Sequence, residues 1–356
     1  MNSTFSKKII AIFVATLGFT FVGLPNAGAS SAASVFLSSS SSALANFANQ
    51  ATIDGDGNLW VVSNDNPASM LTKVAPDGTA VVAWADTIPL PSSSSCTDSR
   101  NYGVAYSSGR IYWSCFDSAV YSISATAPLP VTTSDITLEV DMTGRGFNVQ
   151  GIAVAGNGDI YMNNWDVRMF VHRAGDSVAT ATELFPGLND GWIWPMTVGP
   201  DGNVYFVFDG DPSLNAVDRI MKIDVVGGSN SISTYWQDPL TSSSSNGLAF
   251  FPDSMTIAIV DFDASIGIRA IITNADGTGT LAPSSPLFSG DPLIGPGTGF
   301  ALGPLDAAYV VISDAQQIHA VTKVTGIVDP LPTPPTSSTT SSTSASSTPV
   351  APAFTG

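Results

Sequence analysis

An all-β fold, a six-bladed β-propeller of four-stranded antiparallel blades, is predicted by three observations. A hairpin motif recurs six times, starting at Gln50, Gly103, Gly151, Pro195, Gly247 and Gly299, about 50 residues apart, a spacing expected of propeller blades. Of the 29 acidic residues only Glu139 and Glu183 are glutamates, so a strong helix former is nearly absent, whereas Asp, Gly, Pro and Ser, which favour turns and caps, abound. No long segment carries the 3.6-residue apolar period of a helix, which removes helical solenoids.

Each motif copy reads as two short strands rich in Val, Ile and aromatic residues, joined by a tight turn such as Asp56-Gly57 or Asp201-Gly202. The copies run over 50–62, 103–113, 151–162, 195–206, 247–258 and 299–310. A third strand follows each, over 69–74, 120–124, 169–173, 220–224, 268–273 and 318–324. A fourth, more polar strand is visible at 79–85, 136–141 and 231–236. The last copy has only three strands before the chain turns proline-rich. An open propeller would leave an unpaired sheet edge, so the apolar segment 33–37 is expected to return to the last blade as its outer strand and close the ring.

The two ends differ from this middle. Lys7 and Lys8, an apolar run from Ile9 to Leu24 and Ala27-Gly28-Ala29 read as a secretory signal over 1–29. The propeller is expected over 30–328, and 329–356 reads as an extended Pro/Ser/Thr-rich stalk, too polar to build a core. Its last residues, Pro352 to Gly356, resemble the Leu-Ala-x-Thr-Gly sorting pentapeptide of Gram-positive surface proteins, with Pro352 at the leucine position. A secreted or cell-wall-associated monomer, held out on the stalk, is the expected form. Export also places Cys96 and Cys115 in an oxidising compartment, where a disulfide between them is expected.

The net charge of -17, with only 12 Lys and Arg, argues against nucleic acid as the partner, because phosphate binding rests on clustered basic residues. Much of the acid surplus is periodic: Asp65, Asp117, Asp166, Asp209, Asp261 and Asp314 each end the second strand of a copy. Asp at such a place accepts hydrogen bonds from turn backbone, so all six are expected to be turn caps. Two clusters among them, Asp209 with Asp211 and nearby Asp218, and Asp261 with Asp263, are alternatively candidate ligands for a divalent cation such as calcium. Trp165, Trp192 and Trp194 form an aromatic group in the loops of the third and fourth copies. The two histidines, His172 and His319, both lie in third strands and are read as packing or surface residues.

The hairpin pattern resembles the NHL-repeat proteins and the senescence marker protein/gluconolactonase family, both six-bladed propellers. The sharpest local match is Asn246-Gly247-Leu248-Ala249-Phe250-Phe251-Pro252-Asp253, similar to the lactonases' Asn-Gly-Leu-x-x-x-x-Asp segment. The resemblance implies a divalent metal at the channel mouth held by that Asn, by a Glu before the first inner strand and by an Asp before the last. Asn246 matches, but the Glu position holds Asn49, and Gly297 and Thr298 stand where the Asp would be.

Taken around the ring, the equivalent positions are Asn49, Tyr102, Gln150, Trp194, Asn246 and Thr298, and none is ionisable near neutral pH. General acid/base and nucleophilic catalysis both need a tuned ionisable group. Amides, a hydroxyl and aromatics instead suit a neutral polar ligand such as a carbohydrate, held by hydrogen bonds and stacking. No catalytic residue is assigned. The expected function is therefore a binding or interaction module for an extracellular ligand or surface protein, with no certain cofactor. The alternative is a metal-dependent, lactonase-like hydrolase with a remodelled site, and a quinone-dependent redox enzyme is a third reading that the scarcity of His and basic residues disfavours. Non-reducing peptide mapping of the secreted chain should recover one cross-linked species joining the Cys96 and Cys115 peptides; two separately alkylated thiols would remove the disulfide.

Overall fold

Six copies of one four-strand unit account for the described chain, because each unit buries its two sheet faces only against the units before and after it. The computed structural model describes residues 31–38, 43–44, 47–65, 68–91, 101–115, 119–145, 147–164, 168–185, 191–210, 217–240, 245–252, 254–295, 297–304, 306–312 and 320–330. Blade 1 comprises β2 (Phe47–Ile53), β3 (Leu59–Asp65), β4 (Ala68–Val74) and β5 (Ala80–Ala85). Blade 2 comprises β6 (Asn101–Ser107), β7 (Arg110–Cys115), β8 (Ala119–Ser124) and β9 (Thr137–Asp141). Blade 3 is β10 (Ile152–Val154), β11 (Ile160–Asn163), β12 (Met169–His172) and β13 (Thr182–Phe185); blade 4 is β14 (Gly191–Val198), β15 (Val204–Gly210), β16 (Arg219–Ile223) and β17 (Ile232–Gln237). Blade 5 is β18 (Ser245–Phe250), β19 (Ile257–Asp261), β20 (Ile268–Thr273) and β21 (Gly279–Leu281). In each, neighbouring strands are sequential and antiparallel.

Blade 6 is composite. β22 (Gly297–Gly303), β23 (Ala307–Ile312) and β24 (Ala320–Thr325) come from the end of the chain, and β1 (Ala32–Ser38) pairs antiparallel with β24 as the outer strand. The register runs from Ala32 opposite Thr325 to Ser38 opposite Ala320. The expected closure by 33–37 is thus observed, and no described blade is left with three strands. Residues 1–29, expected to be a secretory signal, lie outside the described residues, as do residues 331–356, Cys96 and His319; Cys115 ends β7 and is buried.

The core is a ring of six apolar clusters, one at each junction between adjacent blades. Between blades 1 and 2, Trp60, Trp84, Trp113 and Tyr121 are wholly buried, with Trp113 at 5.8 Å from Trp84 and 5.7 Å from Tyr121 between ring centroids. Burying each such ring stabilises the junction by about 1.5–3 kcal/mol. Between blades 6 and 1, Leu37 of β1 joins Leu59, Val61, Tyr309 and Val321, so the closing strand contributes to the core as well as to the ladder.

Three lysines are bound up inside blades. Every lysine beyond Lys8 stands in a third strand directly opposite a second-strand aromatic: Lys73 opposite Trp60, Lys222 opposite Tyr205 and Lys323 opposite Tyr309. Their ammonium groups lie 5.2, 5.4 and 5.7 Å from those rings, within cation–π range. In blades 1 and 4 the same lysine also meets the carboxylate of the hairpin turn, Asp54 at 3.8 Å and Asp201 at 2.8 Å, and Arg173 does so with Asp159 in blade 3. These turn carboxylates organise their loops: Asp54 accepts from the backbone of Asp56 and Asn58 and from Trp60 Nε1. Although burial pushes its pKa up, those donors together hold it below the usual carboxylate value.

Close approach of the inner strands sets a demanding local constraint. A Cβ on Gly299 would meet the backbone of Asn49 and Gln50 at 2.6 and 2.7 Å, where blade 6 meets blade 1. Gly299→Val should therefore cost roughly 3 kcal/mol or more in urea unfolding, through overpacking against backbone that cannot turn aside. Gly156→Ala, where a Cβ meets nothing within 4 Å, should stay within about 0.5 kcal/mol of wild type.

Candidate functional site

All six positions expected to ring the channel mouth fall at one structural irregularity. The ladder between the first two strands slips between Ala48 and Gln50, Asn101 and Val104, Ile193 and Met196, Ser245 and Gly247, and Gly297 and Gly299. The extra residues include Asn49, Tyr102, Trp194, Asn246 and Thr298. In blade 3 the same thing happens just ahead of β10: Gln150 N–H donates to Asn163 O at 2.8 Å while Asn163 N–H donates to Gly151 O at 3.1 Å, so two residues face one. A β-bulge breaks the in/out alternation and re-aims the extra side chain. Six bulges at one level therefore turn six side chains out of the sheets where the inner strands converge.

In five blades the residue after the bulge is glycine or proline, Gln50 of blade 1 being the exception, and at three of the glycines the reason is close packing. Gly103, Gly247 and Gly299 press against the next blade's inner strand, where a Cβ would sit 2.5–2.6 Å from Gln150 O, Phe300 Cβ and Asn49 O. Pro195, with no ladder donor to lose, fits a bulge and would weaken a regular strand. Second-strand side chains then tie blade to blade at this level. Ser114 Oγ accepts Gly103 N–H at 2.7 Å and donates to Gln150 O at 3.1 Å; Asn163 Oδ1 accepts Gly151 N–H, and its Nδ2 donates to Ile193 O at 2.9 Å. Thr298 Oγ1 donates to Ala48 O at 3.2 Å across the closing junction.

Five of the six bulge residues line one cavity of about 160 Å³: Asn49, Tyr102, Gln150, Trp194 and Thr298, with Gln50, Gly151 and Ile193 completing it. Asn246 does not line it. Its side chain is buried, and its Oδ1 has no hydrogen-bond partner. A second cavity of about 340 Å³ shares Gln150, Ile193 and Trp194 with the first and adds Trp192 and Asp209. Trp192 is 41% exposed. A third, of about 230 Å³, lies farther along the inner strands towards the hairpin turns, bounded by residues such as Thr52, Tyr106, Phe250 and Phe300.

The aspartates expected to cap turns divide into different roles. Asp261 does accept a turn N–H, from Asp263 at 2.9 Å, but its other oxygen meets the buried Arg269 guanidinium at 3.2 Å, which also holds buried Asp238 at 2.6 Å. Asp263 accepts from Ser265 N–H. Asp209 instead accepts the indole N–H of Trp194 at 2.9 Å, so it braces the mouth. The side chain of Asp65, and all of Asp117, Asp166, Asp211 and Asp314, lie outside the described residues, as does Trp165. His172 is buried in β12 with Nδ1 at 2.7 Å from Thr180 O, a packing role.

For a divalent metal the donor set at the mouth is a poor match. It offers amides, one hydroxyl and aromatics, whereas calcium takes six to eight oxygens, several of them carboxylate. Among the described residues no group of three or more His, Cys, Asp or Glu side chains stands close enough to hold a metal ion.

Two features of the site escaped the sequence. Ile193 lies under both cavities, and an apolar strand residue carries no mark that separates it from core. Asp218, a candidate cation ligand by its proximity in sequence to Asp209 and Asp211, has a different role. It is 3% exposed, and its carboxylate accepts the backbone N–H of Gly210 at 3.2 Å and of Ser245 at 2.9 Å, stitching blade 4 to blade 5. Burial above all, and then the adjoining Asp209 carboxylate, push its pKa up to about 7 against the lowering effect of those two donors.

No protein-family model and no curated protein matches this chain. Solved structures do match. A streptogramin B lyase aligns over 83% of this chain and 97% of its own at 12% identity and a TM-score of 0.52. A virginiamycin B lyase from Staphylococcus aureus covers 79% and 82% at 15% identity and 0.51. An oxidoreductase of glucose dehydrogenase type from Thermus thermophilus covers 83% and 100% at 11% identity and 0.54. At such identities the likeness establishes the six-bladed propeller fold.

The raised pKa of Asp218 makes a pH prediction. A carboxyl whose folded pKa lies above its unfolded value destabilises the fold progressively as pH rises from the unfolded value towards the folded one. Wild type should lose on the order of 2 kcal/mol in urea unfolding between pH 5 and pH 8 from this pair. Asp218→Asn should show a smaller loss over the same interval, whatever its stability at pH 5.

Proposed function

We propose that the chain is an exported, wall-tethered binding module whose channel mouth takes a neutral polar ligand, a carbohydrate. One observation carries the reading: bulges in five different blades deliver Asn49, Tyr102, Gln150, Trp194 and Thr298 to a single cavity. None of these side chains ionises near neutral pH. Amides and a hydroxyl supply directional hydrogen bonds to sugar hydroxyls, and Tyr102, Trp194 and half-exposed Trp192 supply flat apolar surfaces for sugar rings. Rigidity favours this use. The ring is braced by Ser114, Asn163 and Asp209, so little ordering cost opposes binding.

A hydrolytic reading draws on Asn246 alone, whose buried Oδ1 without a partner stands at the position of the lactonase metal-binding amide. Hydrolysis of a sugar lactone by metal-supplemented protein, abolished by Asn246→Ala, would put that reading first. For the binding reading, the test is retention on insoluble polysaccharides followed by calorimetry with the matching oligosaccharides. Trp194→Ala should weaken binding at least tenfold, about 1.4 kcal/mol, without changing the circular dichroism. Equal binding by wild type and variant would place the ligand elsewhere.

A further inference from the structure

Resting on the carbohydrate reading, we propose that the cavity between Trp192, Trp194 and Asp209 receives the protonated amine of an amino sugar, so that the glycan recognised carries free amino groups. The two adjoining cavities differ in chemistry. At the mouth, amides and hydroxyls from several blades offer many directional partners. The larger cavity offers two indoles, the aliphatic side chain of Ile193, one amide from Gln150 and one carboxylate. A neutral sugar ring in it would stack on the indoles but find only the Gln150 amide and the Asp209 carboxylate as side-chain partners for its hydroxyls. An ammonium group needs only indole faces and an anion.

Asp209 is placed for this role. Its Oδ2 accepts Trp194 Nε1–H at 2.9 Å, which fixes carboxylate and indole relative to each other. It stands at the end of β15, opposite Trp192 in the ladder, so both sides of the cavity are set by one strand pair. The surroundings favour a cation. Asp238, Asp261 and Asp263 lie on the same end of blades 4 and 5 as Asp209, against Arg219 and Arg269 among the described residues. The Arg269 guanidinium is held between Asp238 and Asp261, and that of Arg219 lies 4.5 Å from the Phe208 ring centre. A net charge of -17 adds a long-range pull on cationic polymers. An N-acetyl group in the same cavity would replace the cation with a carbonyl facing a carboxylate.

The two cavities share Gln150, Ile193 and Trp194, so one sugar can lie at the mouth while the amine of the same or the next sugar enters the Trp cavity. The test is calorimetry on the mature chain, residues 30–356, at pH 6 with three oligomers of equal length: fully deacetylated glucosamine, N-acetylglucosamine and cello-oligosaccharide. The deacetylated oligomer should bind about tenfold more tightly than either neutral one, and Asp209→Asn should cut that preference below about twofold. Tetramethylammonium chloride, but not the same concentration of tert-butanol, should compete on wild-type protein, an arm that needs no variant to fold. Equal affinity for the three oligomers, or a preference that survives Asp209→Asn, overturns this inference and leaves the carbohydrate reading standing. Failure of every oligomer to bind overturns both.

Discussion

At three blade junctions the inner strands meet so closely at the level of their bulges that no Cβ fits between them, and much of the shape of the mouth follows from that contact. Gly103, Gly247 and Gly299 remove the Cβ that would collide with the next blade. Ser114, Asn163 and Thr298 replace the missing bulk with hydrogen bonds that cross from one blade to the next. With the backbones fixed at this spacing, five of the six bulge residues reach a common cavity. The same local defect thus closes the ring and furnishes its mouth.

Charge is distributed by a different rule at each end of the blades. At the hairpin-turn end, carboxylates are matched by cations on third strands, as with Asp54 and Lys73, Asp159 and Arg173, and Asp201 and Lys222. At the mouth end of blades 4 and 5, aspartates meet each other, an indole N–H or one shared arginine. Partly exposed pairs contribute little individually to stability. The buried Arg269 with Asp238 and Asp261 is different, because removing one member would leave an uncompensated charge in the core.

The blade count, the register of the hairpins and the closing strand were legible because each rests on a repeated or unavoidable constraint: a turn every blade, and a sheet edge that must be covered. The ring positions were legible for the same reason, since residues just before Gly103, Gly151, Pro195, Gly247 and Gly299 hold equivalent places in the period. Their status as bulges was not, because an extra residue leaves no trace in composition. Side-chain partners were least legible of all. Asp209 and Asp261 end equivalent strands, yet one meets Trp194 and the other Arg269, and that choice depends on which residue a neighbouring strand happens to present. Asp218 likewise acquires its unusual proton affinity from burial between two blades, a property of the assembled ring and of no local segment.

β1 gives the chain an unusual relation between synthesis and shape. Ser31 bonds to Gly326 and Ala32 to Thr325, contacts spanning 295 and 293 residues. The first described strand to leave a ribosome is consequently the last to find its partner. Until β24 has followed it, blade 6 lacks its outer strand and β1 has no sheet to join, a long-range pairing of the kind that slows folding. Completion of the ring is therefore a report that the whole propeller has arrived: a chain cut short anywhere before β24 carries an unsealed blade, and a protease would meet it as an open edge.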